Sequence, residues 1–129
     1  MTITQAAKTK HRSAEITHDP QRAPARAMLR AMGLTQADME KPFVAIANLA
    51  SDVTPCNVHL DRLAQKVKQG VWDASGVPFL FGTITISDGI SMGTEGMKAS
   101  LVSREVIADS IETVTFGESM DGLIVVAAC

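Results

Sequence analysis

The chain has 129 residues, of which 46% are apolar and 20% are charged, and its net charge is −2. This composition is ordinary for a globular domain and excludes disordered, collagen-like and coiled-coil sequences. The longest apolar run, Leu123–Cys129, is far shorter than the roughly 20 residues that cross a bilayer. The 12 Lys and Arg residues form no basic cluster, which argues against nucleic acid as the main partner. We therefore expect a globular protein with neither a membrane segment nor a nucleic-acid partner.

The N-terminal stretch is polar and lacks the periodicity of a helix or strand, so we interpret residues 1–18 as an arm and residues 19–129 as the domain. The arm contains no apolar stretch of the length found in secretory signal peptides. The two cysteines, Cys56 and Cys129, do not form a disulfide framework. We therefore expect a cytoplasmic protein with reduced thiols, or a protein of an organelle stroma or matrix if the source is eukaryotic.

Helices and strands alternate along the domain. Asp19 is a typical N-cap residue and Pro20 a typical first helical residue, and the helix that they open ends at Gly33. Apolar, β-branched and aromatic runs predict strands, and apolar residues at helical spacing predict further helices. The later elements are a strand at Phe43–Leu49, a helix at about Asn57–Ser75, a strand at Phe79–Ile86, a helix capped by Ser103 and a strand at Gly122–Cys129.

The same pattern predicts how these elements end and pack. Gly76 ends the second helix, Pro78 prevents its continuation, and the glycines between residues 89 and 96 keep the next stretch flexible. The apolar stripe of the second helix is Leu60, Leu63, Ala64, Val67, Val71 and Trp72. The side chains of the third helix that we expect to face inward are Val106, Ile107, Ser110, Ile111 and Val114. The α-β-α-β-α-β order predicts an α/β fold, with a parallel sheet flanked by helices.

Three potential metal ligands are expected at the carboxyl ends of the strands. Cys56 follows the first strand, Asp88 follows the second, and Cys129 ends the third. In open α/β sheets ligands bind at this edge, so the pattern predicts that the three side chains gather there. The start of the following helix favours the thiolate form of Cys56. A simpler interpretation makes both cysteines buried apolar side chains and Asp88 a turn residue.

Familiar catalytic motifs are absent from the sequence. It contains no CxxC, HExxH, Walker A or GxSxG motif. The glycines of Gly89–Gly96 lack the spacing of a dinucleotide-binding fingerprint, although such a loop can cradle an anion with backbone N–H groups. Two cysteines cannot complete a four-cysteine zinc site or an ordinary iron–sulfur cluster, so any cluster needs further ligands.

Several motifs occur in order along the chain: VTPCNVHL at residues 53–60, ISDGISMG at 86–93, SREVIADS at 103–110, and Asp121-Gly122 before the strand that ends at Cys129. Together they resemble the N-terminal part of a family of iron–sulfur dehydratases that includes dihydroxy-acid, sugar-acid and phosphogluconate dehydratases. The resemblance runs from about Arg22 to Cys129. The chain departs from the family's pattern at Asn48–Asp52, where tryptophan is frequent, and at Ala127-Ala128, where glycine is usual.

The resemblance implies roles for the site residues. Cys56 and Cys129 would bind an iron–sulfur cluster, either 2Fe-2S or 4Fe-4S, and Asp88 would bind Mg²⁺. No catalytic residue is implied within the chain, because the family's third cluster cysteine, Asp-Lys pair, glutamate ligand and serine base correspond to positions beyond Cys129. The chain is therefore expected to be the incomplete N-terminal part of a larger α/β domain, inactive by itself.

The implied activity is that of a hydro-lyase. It removes water from a 2,3-dihydroxy-3-methyl carboxylic acid to give the 2-oxo acid in the biosynthesis of valine, isoleucine and leucine, and the full-length protein would be a homodimer. The sequence TPCN around Cys56 favours this branch of the family. The alternatives are a fragment of a related sugar-acid dehydratase and a non-catalytic small α/β module that binds an anion at Gly89–Gly96. A coding sequence that continues past Cys129 with Asp-Lys would favour the dehydratase.

Overall fold

The computed structural model describes residues 9–128, so Cys129 and the start of the arm lie outside the described part. The helices are α1 (Ala14–His18), α2 (Ala23–Ala31), α3 (Leu60–Asp73), α4 (Asp88–Ser91) and α5 (Lys98–Gly117). The strands are β1 (Phe43–Asn48), β2 (Val77–Gly82) and β3 (Gly122–Val126). Short 3-10 helices lie at Pro20–Arg22, Asp38–Glu40 and Glu95–Met97. Within residues 9–128, no helix is both long enough and apolar enough to cross a membrane.

The three strands form one parallel sheet in the order β2-β1-β3. In the register of this sheet, Val44 of β1 lies between Pro78 of β2 and Gly122 of β3. The central strand is almost entirely buried, as expected when both faces of a parallel sheet are covered. The predicted α/β fold with a parallel sheet flanked by helices is therefore confirmed.

Each face of the sheet has its own core, because successive side chains of β1 point to opposite faces. Phe43 and Ala45 belong to the first core cluster, which Leu29, Met39, Val77 and Met120 complete. Ile46 belongs to the second cluster, which packs α3 onto the sheet through Leu60, Ala64 and Val71. The two cores fix the strands, and through them the loops at the strand ends.

The described part of the arm packs against the domain. Asp121, just before β3, accepts hydrogen bonds from the backbone N–H groups of His11 (3.0 Å), Ser13 (3.0 Å) and Phe43 (2.8 Å). It also accepts one from the Ser13 hydroxyl, at 2.5 Å. Burial opposes the charged form of Asp121, but these hydrogen bonds outweigh it and lower its pKa to about 2. Asp121 therefore fastens the arm to the sheet, while the division of the chain at residue 18 stays a prediction.

The second strand differs from its predicted position. It occupies Val77–Gly82 rather than Phe79–Ile86, and Pro78 lies inside it. Because β2 is an edge strand, the N–H group that proline lacks need not pair within the sheet. The strand ends early because β1 ends at Asn48, whose carbonyl accepts the N–H of Thr83 at 3.1 Å. Beyond that point β2 has no strand to pair with among the described residues.

The helix ends also differ from the prediction. The residue with left-handed backbone after α3 is Ser75, with φ of 65°, and not Gly76. Ser103 does not cap α5, which begins at Lys98; it is buried within the helix and donates to the Ser100 carbonyl at 2.6 Å. The missed start signal is Thr94, whose hydroxyl accepts the Gly96 N–H at the 3-10 helix leading into α5.

Two further features of the helices were not predicted. Most of the glycine-rich stretch is helical, in α4 and in the 3-10 helix Glu95–Met97, while its flexibility stays a prediction. Leu63 and Val106, both expected to face inward, are 47% and 46% exposed. The helical spacing of apolar residues identified these helices correctly, but it did not fix the limits of the buried stripe.

Candidate functional site

A pocket of about 700 Å³ lies beyond the carboxyl ends of the strands. Its lining comes from four parts of the chain and includes Cys56 and Asp88, two of the three side chains predicted to gather at this edge. The lining residues are Leu49, Pro55 and Cys56 after β1, Thr85–Ile90 after β2, Ser100, Ser103, Arg104 and Ile107 of α5, and Ala128 after β3. The pocket therefore exists because three parallel strands deliver their following loops to one side of the sheet.

Cys56 is half-buried in the turn between β1 and α3. Its sulfur is part of a disulfide, which differs from the reduced thiols that the sequence predicts. A disulfide and a metal–thiolate bond use the same sulfur, so Cys56 must be reduced before it can bind iron. Cys129, the second predicted cluster ligand, lies outside the described residues.

Asp88 begins α4 and is exposed at the mouth of the same pocket. It follows an irregular segment after β2, rather than the strand end itself. The hydroxyl of Ser100, a buried residue of α5, donates a hydrogen bond to Asp88 Oδ1. No other side chain within residues 9–128 is hydrogen-bonded to this carboxylate. The contact with Ser100 therefore orients Asp88 while leaving its second oxygen available for another partner.

The structure brings two residues to this site that the sequence interpretation did not place there. Ser100 donates a hydrogen bond to Asp88, and Arg104, an exposed residue of the same helix, lines the pocket. None of the ion pairs within residues 9–128 involves Arg104. Their spacing on one helix is the signal that could have identified them, because residues four apart share a face. The shared face can be recognised only if α5 is known to begin at Lys98, and the sequence predicted a start at Ser103.

The donors in the pocket suit two kinds of metal. The sulfur of Cys56 is a soft ligand of the type that binds iron, and the carboxylate of Asp88 is a hard ligand that suits Mg²⁺. Within the described residues, no three His, Cys, Asp or Glu side chains come together as a metal site. The described part of the chain therefore fits these groups but supplies only part of each ligand set.

Comparison with known proteins identifies the family of the chain. The family model for the N-terminal domain of dihydroxy-acid/6-phosphogluconate dehydratases matches residues 41–129. The chain belongs to this dehydratase family. The matched range includes β1 and the whole pocket lining. The resemblance read from the motifs around Cys56, Asp88 and Arg104 is confirmed.

Curated relatives named dihydroxy-acid dehydratase align with nearly the whole chain. The protein of Natronomonas pharaonis is 61% identical over 92% of this chain and 20% of its own length. That of Haloarcula marismortui is 58% identical, also over 92% of this chain and 20% of its own length. The protein of Koribacter versatilis is 59% identical over 95% of this chain and 21% of its own length. The chain thus spans about a fifth of the length of these dehydratases.

Proposed function

We propose that the chain is the N-terminal part of a dihydroxy-acid dehydratase. The enzyme would remove water from a 2,3-dihydroxy-3-methyl carboxylic acid and release the 2-oxo acid, a step in valine, isoleucine and leucine biosynthesis. The observation that carries the proposal is the pocket at the carboxyl edge of the sheet, where Cys56 and Asp88 line one cavity. The names of the relatives support the choice of substrate within the family.

The cofactors of this proposal are an iron–sulfur cluster, 2Fe-2S or 4Fe-4S, and Mg²⁺. Cys56 and Cys129 would hold the cluster and Asp88 the Mg²⁺, with the remaining ligands outside the described residues. When bound, these groups supply Lewis acidity toward the departing hydroxyl and the carboxylate end of the substrate. The pairing of a sulfur ligand with a carboxylate in one pocket supports this assignment.

The chain's own residues would bind and orient the acid. Arg104 lines the pocket and offers a planar guanidinium suited to a carboxylate. Leu49, Ile86 and Ile107 give the pocket apolar walls for the methyl-bearing carbon of the substrate. Ser100 would keep Asp88 turned toward the pocket. The C2 proton and the C3 hydroxyl would leave together as water. The enol that results would then convert to the ketone.

The family resemblance supports further parts of the proposal. The full-length protein would be a homodimer in the cytoplasm, or in an organelle stroma or matrix if the source is eukaryotic. It would act on a small molecule rather than on nucleic acid or a membrane. The 129 residues by themselves would lack dehydratase activity and a stable cluster.

The test is to purify the full-length protein anaerobically with Cys56→Ser, Asp88→Ala or neither change. We expect the unchanged protein to show a visible cluster absorbance and to form the 2-oxo acid in the presence of Mg²⁺. Cys56→Ser should lose both properties, because the cluster loses a ligand. Asp88→Ala should keep the absorbance and lose the Mg²⁺-dependent turnover.

Asp52→Ala is the matched control, because Asp52 is exposed and lies outside the pocket lining. It should leave both absorbance and turnover unchanged. Loss of the absorbance in Asp88→Ala would contradict the division of roles between the two ligands. Turnover of 6-phosphogluconate in place of the dihydroxy acid would overturn the substrate assignment.

A further inference from the structure

Asn57 lies directly after Cys56, and its side chain reaches across two loops of the pocket. It is fully buried, and its Nδ2 donates to the backbone carbonyl of Leu49 at 2.6 Å. The same nitrogen lies 3.4 Å from Thr85 Oγ1 as a second, longer donor contact. Leu49 is the first residue after β1, and Thr85 belongs to the segment between β2 and Asp88.

These two contacts have different consequences. The bond to Leu49 closes the loop that follows β1 back on its own start, with Cys56 next to the point of closure. The contact with Thr85 joins this closed loop to the segment that leads to Asp88. One amide group therefore links the loop that carries Cys56 to the segment that precedes Asp88.

The chemistry of the site restricts which residue can do this. An amide supplies two N–H donors, whereas aspartate has the same shape and, when ionised, supplies none. Asn57 Oδ1 and Thr54 Oγ1 are buried without a hydrogen-bond partner among residues 9–128. An unmet buried acceptor costs about 1–3 kcal/mol, so stability alone does not account for an asparagine here. The donor contacts with Leu49 and Thr85 explain the presence of asparagine better than its contribution to stability does.

Asn48 shows what a structural asparagine at the same sheet edge looks like. It is also buried, but its Nδ2 donates to Asp61 Oδ1 at 2.7 Å and its Oδ1 accepts the Ala50 N–H at 3.1 Å. Both of its polar atoms are thus paired, and neither contacts the segment after β2. Asn48 therefore provides a matched comparison for the loss of a buried amide.

We infer that Asn57 is a positioning residue that holds the Cys56 loop at a fixed distance from the Asp88 segment. The importance of that distance rests on the proposed function, since it would set the cluster ligand relative to the Mg²⁺ ligand. The distance itself can be measured without cofactor or substrate. Failure of the positioning role can therefore be told apart from failure of the proposed dehydratase activity.

The test measures this distance by electron spin resonance in the 129-residue chain, with labelled chains diluted in unlabelled ones so that only two labels in the same copy contribute. Nitroxide labels are attached through Val53→Cys and Gly89→Cys, with Cys56 and Cys129 both replaced by serine. Val53 is 62% exposed, and a β-carbon at Gly89 would come no closer than 3.9 Å to a neighbour, the Ser87 hydroxyl. Asn57→Ala, Thr85→Val and Asn48→Ala are then compared in this labelled background, with denaturant unfolding of each.

We expect Asn57→Ala to broaden the distance distribution about twofold, because the released loop samples more positions. Thr85→Val, which removes only the second contact, should broaden it less and stay folded. Asn48→Ala should lower stability but leave the distance unchanged. If Asn57→Ala does not fold, the width of the distance distribution in Thr85→Val alone tests the inference. An unchanged distribution in the folded variants of Asn57 and Thr85, or equal broadening in Asn48→Ala, would overturn the inference.

Discussion

At the scale of single residues, protonation of Asp121 directly affects the contacts that hold the arm on the sheet. Its side chain is only 2% exposed, and its hydrogen bonds lower its pKa from 3.8 to about 2. The folded chain therefore favours the carboxylate, and the resulting stability is complete above about pH 4 and is lost as the pH falls toward 2. Asp121→Asn should lower the free energy of unfolding by about 3 kcal/mol near pH 7. It should also remove about 2 kcal/mol of the acid dependence, measured by urea unfolding from pH 7 to 2.

Asp38 provides the comparison for this experiment. Hydrogen bonds from Lys41 and Thr35 lower its pKa to about 2 as well, so it contributes in the same pH range. Asp38→Asn should remove only its own share of the acid dependence and leave the share of Asp121. An Asp121→Asn variant that keeps the full acid dependence would show that the arm is not held through this carboxylate.

The residues of the site differ in how far sequence could identify them. Cys56 and Asp88 have side chains with distinctive chemistry near the ends of predicted strands, so pattern alone placed them at one edge. Arg104 and Asn57 were missed because their role depends on contacts between segments far apart in sequence. An arginine on a helix and an asparagine in a turn are common in any protein, and only the folded chain separates these two from the others.

At the scale of elements, the strands and helices could be predicted, but several of their ends could not. The period of apolar residues is local information, whereas the end of β2 depends on where its partner β1 stops. The start of α5 depended on Thr94, in a stretch whose glycines suggested a flexible loop. Pairing with β1 thus sets the end of β2, and the capping residue Thr94 precedes the start of α5; neither boundary follows from composition.

The turn between α3 and β2 gives a prediction at this scale. A β-carbon on Gly76 would lie 3.0 Å from Val71 Cγ1 and 3.4 Å from the Val71 carbonyl oxygen. Val71 is buried in the core and has little room to move. Gly76→Ala should therefore lower the free energy of unfolding by about 1–3 kcal/mol. Denaturant unfolding monitored by circular dichroism measures this change.

Gly70 is the matched control, because it lies inside α3 and a β-carbon there would meet nothing within 4 Å. Gly70→Ala should raise the free energy of unfolding by about 0.5–1 kcal/mol, since glycine is a poor helix former. If the two alanine variants shifted stability in the same direction, close packing at the turn would not be the reason for glycine at position 76.

At the scale of the whole molecule, the edge of the sheet formed by β3 has apolar surface that the described residues leave uncovered. Leu123, Ile124 and Val125 of β3 are 42%, 38% and 47% exposed, although they lie on both faces of the strand. Leu101 and Phe116 of α5 are 67% and 75% exposed. A strand with apolar residues on both faces is typical of the interior of a sheet, and Leu101 and Phe116 add exposed apolar surface on α5. In the proposed full-length dehydratase, we expect further polypeptide to cover these surfaces.

The exposed strand leads to a prediction about the 129-residue chain in solution. Within the described residues β3 pairs only with β1, so its outer edge has free backbone groups beside apolar side chains. Such edges promote association between copies of a chain, and charged side chains on them prevent it. The chain should therefore self-associate in sedimentation velocity experiments, and the double variant Leu123→Lys with Val125→Lys should sediment mostly as a monomer.

Val53 and Val58 provide the control pair, because they are 62% and 55% exposed but lie in the loop between β1 and α3. Val53→Lys with Val58→Lys adds the same charge to the chain without changing the edge strand. If the edge of β3 drives association, this control should associate like the unchanged chain. Only the first pair of substitutions lies on β3. If both double variants become monomeric to the same degree, the added charge controls association and the edge of β3 does not.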